Sequence, residues 1–244
     1  MIDILTLFPV RMAQLSALLV KKGKKLYFCF PDYPKPAMEE MNWYALKVFY
    51  NKVFEMEDRL IGMGFETYLA VALVPLKGKD HLAAARKIAS LPEGGRPDSR
   101  LIKRGPVIFQ RVPMVNSLIF VRADEPGIKR ISEMLHGPLE EPSPCGFVYR
   151  TSDWKSYCKI PDKQMMTFRL ITSSGDTGLQ FFSPEDIARF RLGQKVRVIE
   201  GPLKGAEGYI KRIRKNRRLL VAMEGIVAVV TSYIPPQFLE KVED

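Results

Sequence analysis

Hydrophobic and polar residues alternate along this chain in runs short enough to name one by one. NWYALKVFY (Asn42 to Tyr50) is aromatic and β-branched and predicts a strand. In NKVFEMEDRLIGMG, Val53, Met56, Leu60 and Met63 recur at three- and four-residue intervals, with Glu55, Asp58 and Arg59 largely off that stripe. This is the period of an amphipathic helix. Asn51 is placed to cap its start, and Gly62 or Gly64 to end it. FETYLAVALVP is again strand-like and closes at Pro75.

From Lys77 to Gly105 the pattern loosens. DHLAAARKIASL predicts a short helix capped by Asp80, whereas PEGGRPDSR has turn and loop chemistry, so the segment is expected to be an exposed insertion. Val107 to Ala123 returns to strand. Pro113 interrupts it, and because proline removes a ladder donor, two strands with a bend are expected. PGIKRISEML is helical, with Ile128, Ile131 and Leu135 on one side; GFVYR is a strand, and PDKQMMTFRLI a helix entered at Pro161.

SSGDTG (Ser173 to Gly178) has the composition of a flexible linker. Ser183, Pro184 and Glu185 are expected to start one helical turn, and everything past Gln194 reads as short strands. The order predicts a mixed α and β domain followed by a small all-β module that should close into a barrel to remove its edges. The expected divisions are an extension at 1–41, poorly ordered or weakly helical, a domain at 42–172 carrying the 77–105 insertion, a linker at 173–187 and the β module at 188–244.

Within that module Val196 and Val198 alternate with Lys195 and Arg197, giving one apolar and one basic face. Gly201 and Pro202 turn the chain, and Gly205 and Gly208 meet positive φ or a close approach that a side chain would block. Asn216 suits a left-handed position in the next bend. Around that bend crowd Lys211, Arg212, Arg214, Lys215, Arg217 and Arg218. Such cations are not buried unpaired, so they form either a solvated, aggregation-blocking hairpin or a contact for phosphates.

The net charge of +11 favours the second. Other chemistry is sparse. Cys29, Cys145 and Cys158 form no Cys-x-x-Cys pair, which fits a reducing cytoplasm rather than a disulfide framework or zinc site. His81 and His136 lack partners at metal-ligand spacing. No nucleophile elbow, Walker loop, dinucleotide fingerprint or His-Glu-x-x-His is present, so no catalytic residue, metal or cofactor is expected. No apolar run has the length of a membrane span. The opening MIDILTLFPVRMAQLSALLVKKGKK has its charges after its apolar part, unlike an export signal. Translation from Met38 or Met41, just ahead of the first strand, is an alternative start.

Val-Arg-Val-Ile-Glu-Gly-Pro-Leu-Lys-Gly-Ala-Glu-Gly-Tyr-Ile, from Val196 to Ile210, resembles a KOW motif, found in transcription elongation factors and some ribosomal proteins. Asn42 to Leu46 and the helix after it, Val112 to Val121, and Gly146 to Arg150 resemble, in order, the NGN domain of NusG-like factors, and Ile160 to Met165 resembles its closing helix. The whole is most similar to the specialised paralogues, of the RfaH and UpxY kind, that promote transcription through long polysaccharide operons. The resemblance implies an α+β fold: an NGN domain, with an antiparallel sheet flanked by helices, then a small SH3-like KOW barrel.

It further implies a cytoplasmic, monomeric, non-enzymatic antitermination factor. Such a factor grips the clamp helices of bacterial RNA polymerase through an apolar depression and favours the processive state. On matching positions, Val115, Leu118, Phe120 and Phe147 are the candidates for that depression. Leu118 and Phe120 share one strand face and Ile119 and Val121 the other, so one face is expected to pack on helices and the other to dock. Lys129 and Arg130 fall where some relatives touch the opposite polymerase jaw, and Lys52 and Arg59 are further candidates toward DNA. The family's usual aromatic is replaced by Leu118 in Asn116-Ser117-Leu118. Partners implied for the KOW domain are nucleic acid of the elongation complex, termination factor Rho or a ribosomal protein. A KOW-containing ribosome- or RNA-binding protein is the alternative.

Overall fold

The computed structural model describes residues 18–22, 25–29, 40–91, 98–136, 145–183, 186, 193–213 and 216–242. The chain divides into a unit Met1–Glu39 and a unit Glu40–Asp244. In the first, β1 (Leu18–Lys22) and β2 (Lys25–Cys29) pair antiparallel. These described residues of the extension are thus extended, not helical: LLV and LYFC, on either side of a lysine-flanked glycine, suit strands.

The second unit begins with β3 (Asn42–Val48) and α1 (Val53–Gly62). The helix stripe is buried as its spacing predicts, but Asn51 does not cap it. Asn51 is itself left-handed at φ 57°, and Lys52 precedes the helix without a side-chain cap. At the other end Gly64 (φ 89°) takes the left-handed position, where its N–H meets the Ile61 carbonyl and that of Phe65 meets Leu60. The run after it splits in two. β4 (Glu66–Tyr68) and β5 (Val71–Pro75) are separated at buried Leu69 and Ala70 and join different sheets.

α2 (Gly78–Ala89) starts after Lys77, which makes no side-chain cap; Asp80 lies inside its first turn, where a carboxylate still faces the positive end of the helix dipole. The insertion is more than an excursion. β6 (Leu101–Arg104) pairs with β7 (Val107–Pro113), which pairs with β5, making a small three-stranded antiparallel sheet. The bend at Pro113 leads to β8 (Leu118–Ala123), then α3 (Glu125–His136), β9 (Gly146–Val148) and α4 (Asp162–Thr172), which Pro161 precedes.

The central sheet runs β4-β8-β3-β9, antiparallel throughout. One face, with Tyr44, Leu46, Ile119 and Val121, packs on the stripes of α1 and α3, where Ile128, Ile131 and Leu135 are buried as predicted. The other, with Trp43, Ala45, Leu118 and Phe120, packs on Met165, Phe168 and Ile171 of α4. Between α1 and the small sheet lies a bidentate pair: Arg111 donates to both carboxylate oxygens of buried Glu57 at 2.8 Å and to the Ser99 carbonyl.

Past α4 the expected linker is pinned. Asp176 accepts hydrogen bonds from Ser232 N (2.8 Å), Ser232 Oγ (2.6 Å) and Gly178 N (2.8 Å). The remaining strands are β10 (Gln180–Phe182), β11 (Lys195–Val198), β12 (Glu207–Ile213), β13 (Asn216–Met223), β14 (Val227–Tyr233) and β15 (Leu239–Lys241). They form one six-stranded antiparallel sheet in the order β10-β14-β13-β12-β11-β15. Among the described residues β10 and β15 do not pair with each other, so the sheet is not closed by a hydrogen-bonded seam. Gly205 has φ 91°, and at Gly208 a Cβ would lie 2.5 Å from the Leu220 carbonyl oxygen, so both glycines are needed as read. Asn216, by contrast, is the first residue of β13, paired with Ile213, and not a left-handed turn residue. Pro184 and Glu185 lie outside the described residues, although Ser183 and Asp186 are linked there. The apolar core of this sheet is continuous with the α4 face of the central sheet. Gln164 Nε2 donates to the Ala222 carbonyl at 2.9 Å, and Lys163 meets Glu207 at 2.8 Å.

Candidate docking surfaces

Three of the four apolar candidates, Leu118, Phe120 and Phe147, share one face of the central sheet, since Lys47 of β3 stands opposite both Leu118 and Phe147, while Val115 lies in the bend between β7 and β8. Their exposure divides them. Leu118 is 4% and Phe120 1% accessible. The Phe120 ring lies 5.2 Å from Phe168 and 6.5 Å from Tyr68. The expectation that this face stays open for docking is therefore corrected for these two: α4 is amphipathic and covers them, as α1 and α3 cover the opposite side. Val115 and Phe147 sit at the rim, half-buried. Phe147 belongs to an edge strip of rings, 6.0 Å from Phe49 and 5.3 Å from Tyr149, with Tyr50 beyond Phe49 largely exposed.

An open apolar recess does exist, one strand-end away. A cavity of about 980 Å³ lies between the small sheet, β4, the end of α4 and the residues leading into β10. Tyr68, Leu73, Ile102, Met114, Leu179 and Phe181 supply most of its apolar lining, and Met114 adjoins Val115. Register explains the lining. Leu73 stands opposite Arg111 and Ile102 opposite Phe109, so these side chains share the face turned away from Ile108, which is buried. Its polar groups are mostly engaged. Thr172 donates to the Phe168 carbonyl, so the Tyr68 hydroxyl donates to Thr172 Oγ1 at 2.6 Å. Burial pushes the Tyr68 phenol above its ordinary range, partly offset by Arg169 stacked on its ring, so it stays protonated. Arg111 is held by Glu57; Arg104 at the rim is exposed.

No residue of this recess is among the four apolar candidates. The available signal was the polar pair Gln110 and Arg111 in VIFQRVP, one on each strand face, set beside VALVP.

The charged candidates are dispersed. Lys129 forms an i,i+4 ion pair with Glu125 at 2.8 Å, which raises the Lys129 ammonium and lowers the Glu125 carboxyl from their ordinary values. Arg130 is exposed beside it, and Lys52 and Arg59 lie at the start and near the end of α1. On the six-stranded sheet the register sets Lys211 opposite Arg218 and Arg212 opposite Arg217. Two successive like-charge rungs are unfavourable unless an anion sits across them. One anion is built in: Asp176 feels the Arg218 charge. Partial burial alone would raise that carboxyl, but the bonds from Ser232 and Gly178, with Arg218, hold it below its usual value. Arg214 and Lys215 lie outside the described residues. Arg212, Arg217 and Lys241 also border a cavity of about 680 Å³ floored by Ile210 and Leu239.

Among the described residues no group of three His, Cys, Asp or Glu side chains is placed to hold a metal ion, and no helix is long and apolar enough to cross a membrane.

No family model matches the chain, and no curated protein matches it in sequence. Among solved structures it is similar to one described as domain interaction in Thermotoga maritima NusG. That likeness has 16% identity and a TM-score of 0.36, covering 84% of this chain and 98% of the other.

Proposed function

We propose that this chain is a NusG-like transcription elongation and antitermination factor, acting in the cytoplasm on long operons such as those for polysaccharide synthesis, and docking on RNA polymerase through an apolar surface. The sequence fragments that carry the resemblance lie on β3, β7 to β8, β9, the entrance of α4 and β11 to β12, so each occupies an ordered element or its approach. The observation that carries the docking is the recess of about 980 Å³ adjoining Val115, together with the half-buried ring of Phe147. Both sit where an apolar helix surface could be covered without unfolding the sheet. Such a factor needs a difference in affinity between two polymerase states and no catalytic residue.

The test is capture of RNA polymerase from nuclease-treated lysate by the tagged full chain. Wild type is expected to retain the enzyme. Leu73→Asp, in the recess, is expected to lose it while keeping a normal thermal melt. Undiminished capture by Leu73→Asp and by Phe147→Asp would remove this surface from consideration.

The alternative, a ribosome- or RNA-binding role, is favoured by the like-charge rungs on β12 and β13. It predicts rRNA in the captured material, lost when Arg212 and Arg217 are made Gln. Binding would weaken with salt by roughly one power per phosphate neutralised.

A further inference from the structure

Register sorts the cations of the β12–β13 bend onto two faces, and the two faces are answered differently. Directly paired residues project to the same side of a sheet, and alternate residues along a strand share it. Lys211 and Arg218 therefore stand on one face, where the Asp176 carboxylate feels the Arg218 charge. Arg212 and Arg217 stand on the other, and the next rung on that face is Ile210 with Leu219. Val196 belongs to the same face, being opposite Gly208 of β12, and so does Lys241 of the edge strand β15, which stands opposite Val196. Leu219 and Val196 are buried, and Ile210 and Leu239 are half-buried. This apolar face thus ends in two arginines at one side and a lysine at the other.

Between those ends lies the cavity of about 680 Å³, with Val196, Ile210 and Leu239 beneath Arg212, Arg217 and Lys241, and no Asp or Glu borders it among the described residues. Nor do these three cations form an ion pair among the described residues, whereas Lys163 and Arg197 share Glu207. Two arginines facing each other on one rung repel, so the rim favours an anion. Spacing says of what kind. Lys241 is level, through Val196, with Gly208, four residues before Arg212, so the cationic ends stand roughly 13 Å apart along the strands. A chain of phosphates meets both ends, as one compact anion does not. The floor adds a second requirement. Duplex bases stay stacked, whereas a single strand can lay an unpaired base on apolar side chains while its phosphates reach the rim. A lipid surface would need protruding apolar side chains, and here they lie below the cations.

We propose that this cavity binds single-stranded nucleic acid, with Arg212 and Arg217 on one phosphate, Lys241 on another, and a base between them on Ile210 and Leu239. The floor is held in place by backbone bonds on both sides. Gly193 N donates to the Ile210 carbonyl at 3.2 Å, Ile210 N to the Gln194 carbonyl at 3.0 Å, and Val242 N to the Lys195 carbonyl at 3.2 Å. The proposal gives the nucleic-acid alternative above a site, a strandedness and a contact residue outside the bend, Lys241, and it rests on that alternative. It does not require polymerase docking, since the recess at Leu73 is lined by other residues.

The test is fluorescence anisotropy of a labelled oligouridylate about 12 nucleotides long, titrated with the full chain at several salt concentrations. The strand should bind more tightly than a duplex of equal length, and an abasic strand of equal charge should bind at least about threefold more weakly. Lys241→Gln, at an exposed position, should melt like wild type and lose roughly 0.7 of the salt slope, the share of one phosphate on a single strand. Lys87→Gln, on α2, should lose none. Oligothymidylate separates DNA from RNA as the source, and binding of either supports the site. A duplex or abasic strand that binds as tightly as the oligouridylate, or an unchanged slope in Lys241→Gln, overturns the proposal. Ribosomal RNA captured through Arg212 and Arg217 would then leave the broader nucleic-acid reading standing. Uridine triphosphate binding as tightly as the strand overturns the proposal in favour of a free nucleotide. Binding to phosphatidylglycerol vesicles but not to the strand overturns it in favour of a lipid surface.

Discussion

The central and small sheets are built from similar residues and differ in what covers them. The central sheet carries helices on both faces, α1 and α3 on one and α4 on the other, and its strand β8 is buried from Leu118 to Val121. The small sheet has Ile108 buried on one face, while Leu73 and Ile102 on the other are only half-buried, lining an open recess. Apolar strand residues are therefore core or docking surface according to what the rest of the chain lays over them. In this protein the second layer runs out at the small sheet.

The comparison can be broken hardest at Phe120. Phe120→Asp buries a carboxylate against Phe168 with no partner, and is expected to abolish cooperative unfolding, a loss of about 4–5 kcal/mol or more. Circular dichroism against temperature checks it. Next is the strut between the two sheets' surroundings. Glu57→Ala leaves the Arg111 guanidinium buried with only the Ser99 carbonyl, and should cost about 3–5 kcal/mol in urea titrations.

A smaller effect is expected at Asp176, which ties the residues after α4 to β14. Asp176→Ala should lose about 1–3 kcal/mol through unsatisfied Ser232 and Gly178 donors. Because this carboxyl is held below its ordinary value in the folded chain, its contribution is full above the unfolded value, about 3.9, and disappears as pH falls through the lowered one. Wild type should show that acid-linked component below about pH 4, and the variant should lack it. The smallest effect is at Lys163→Ala. That lysine is exposed although its partner Glu207 is not, and its loss should change stability by less than about 1 kcal/mol.

Much of this was legible before the structure. The stripe of α1, the buried side of α3 and the division at Pro113 follow from spacing and from proline's missing donor. The like-charge rungs follow once Ile213 and Asn216 are paired, because register then sets every later cation opposite another. What local pattern withheld was coverage. Leu118-Ile119-Phe120-Val121 is apolar at every position, so alternation gives no hint that both faces are sealed. The Glu57 and Arg111 pair spans 54 residues, and neither residue announces the other. The absent Asn51 cap is similar: the residue was right for the role, but the chain enters the helix through two left-handed residues, Tyr50 and Asn51.

The central claim is that the uncovered face of the small sheet, and not the sealed face of the central one, grips RNA polymerase. Measuring the affinity of full-length Leu73→Asp for purified core polymerase, beside wild type, tests it most directly. The account predicts a folded variant whose affinity falls at least about tenfold, the scale of a buried interface residue. A folded variant that binds as tightly as wild type would contradict it.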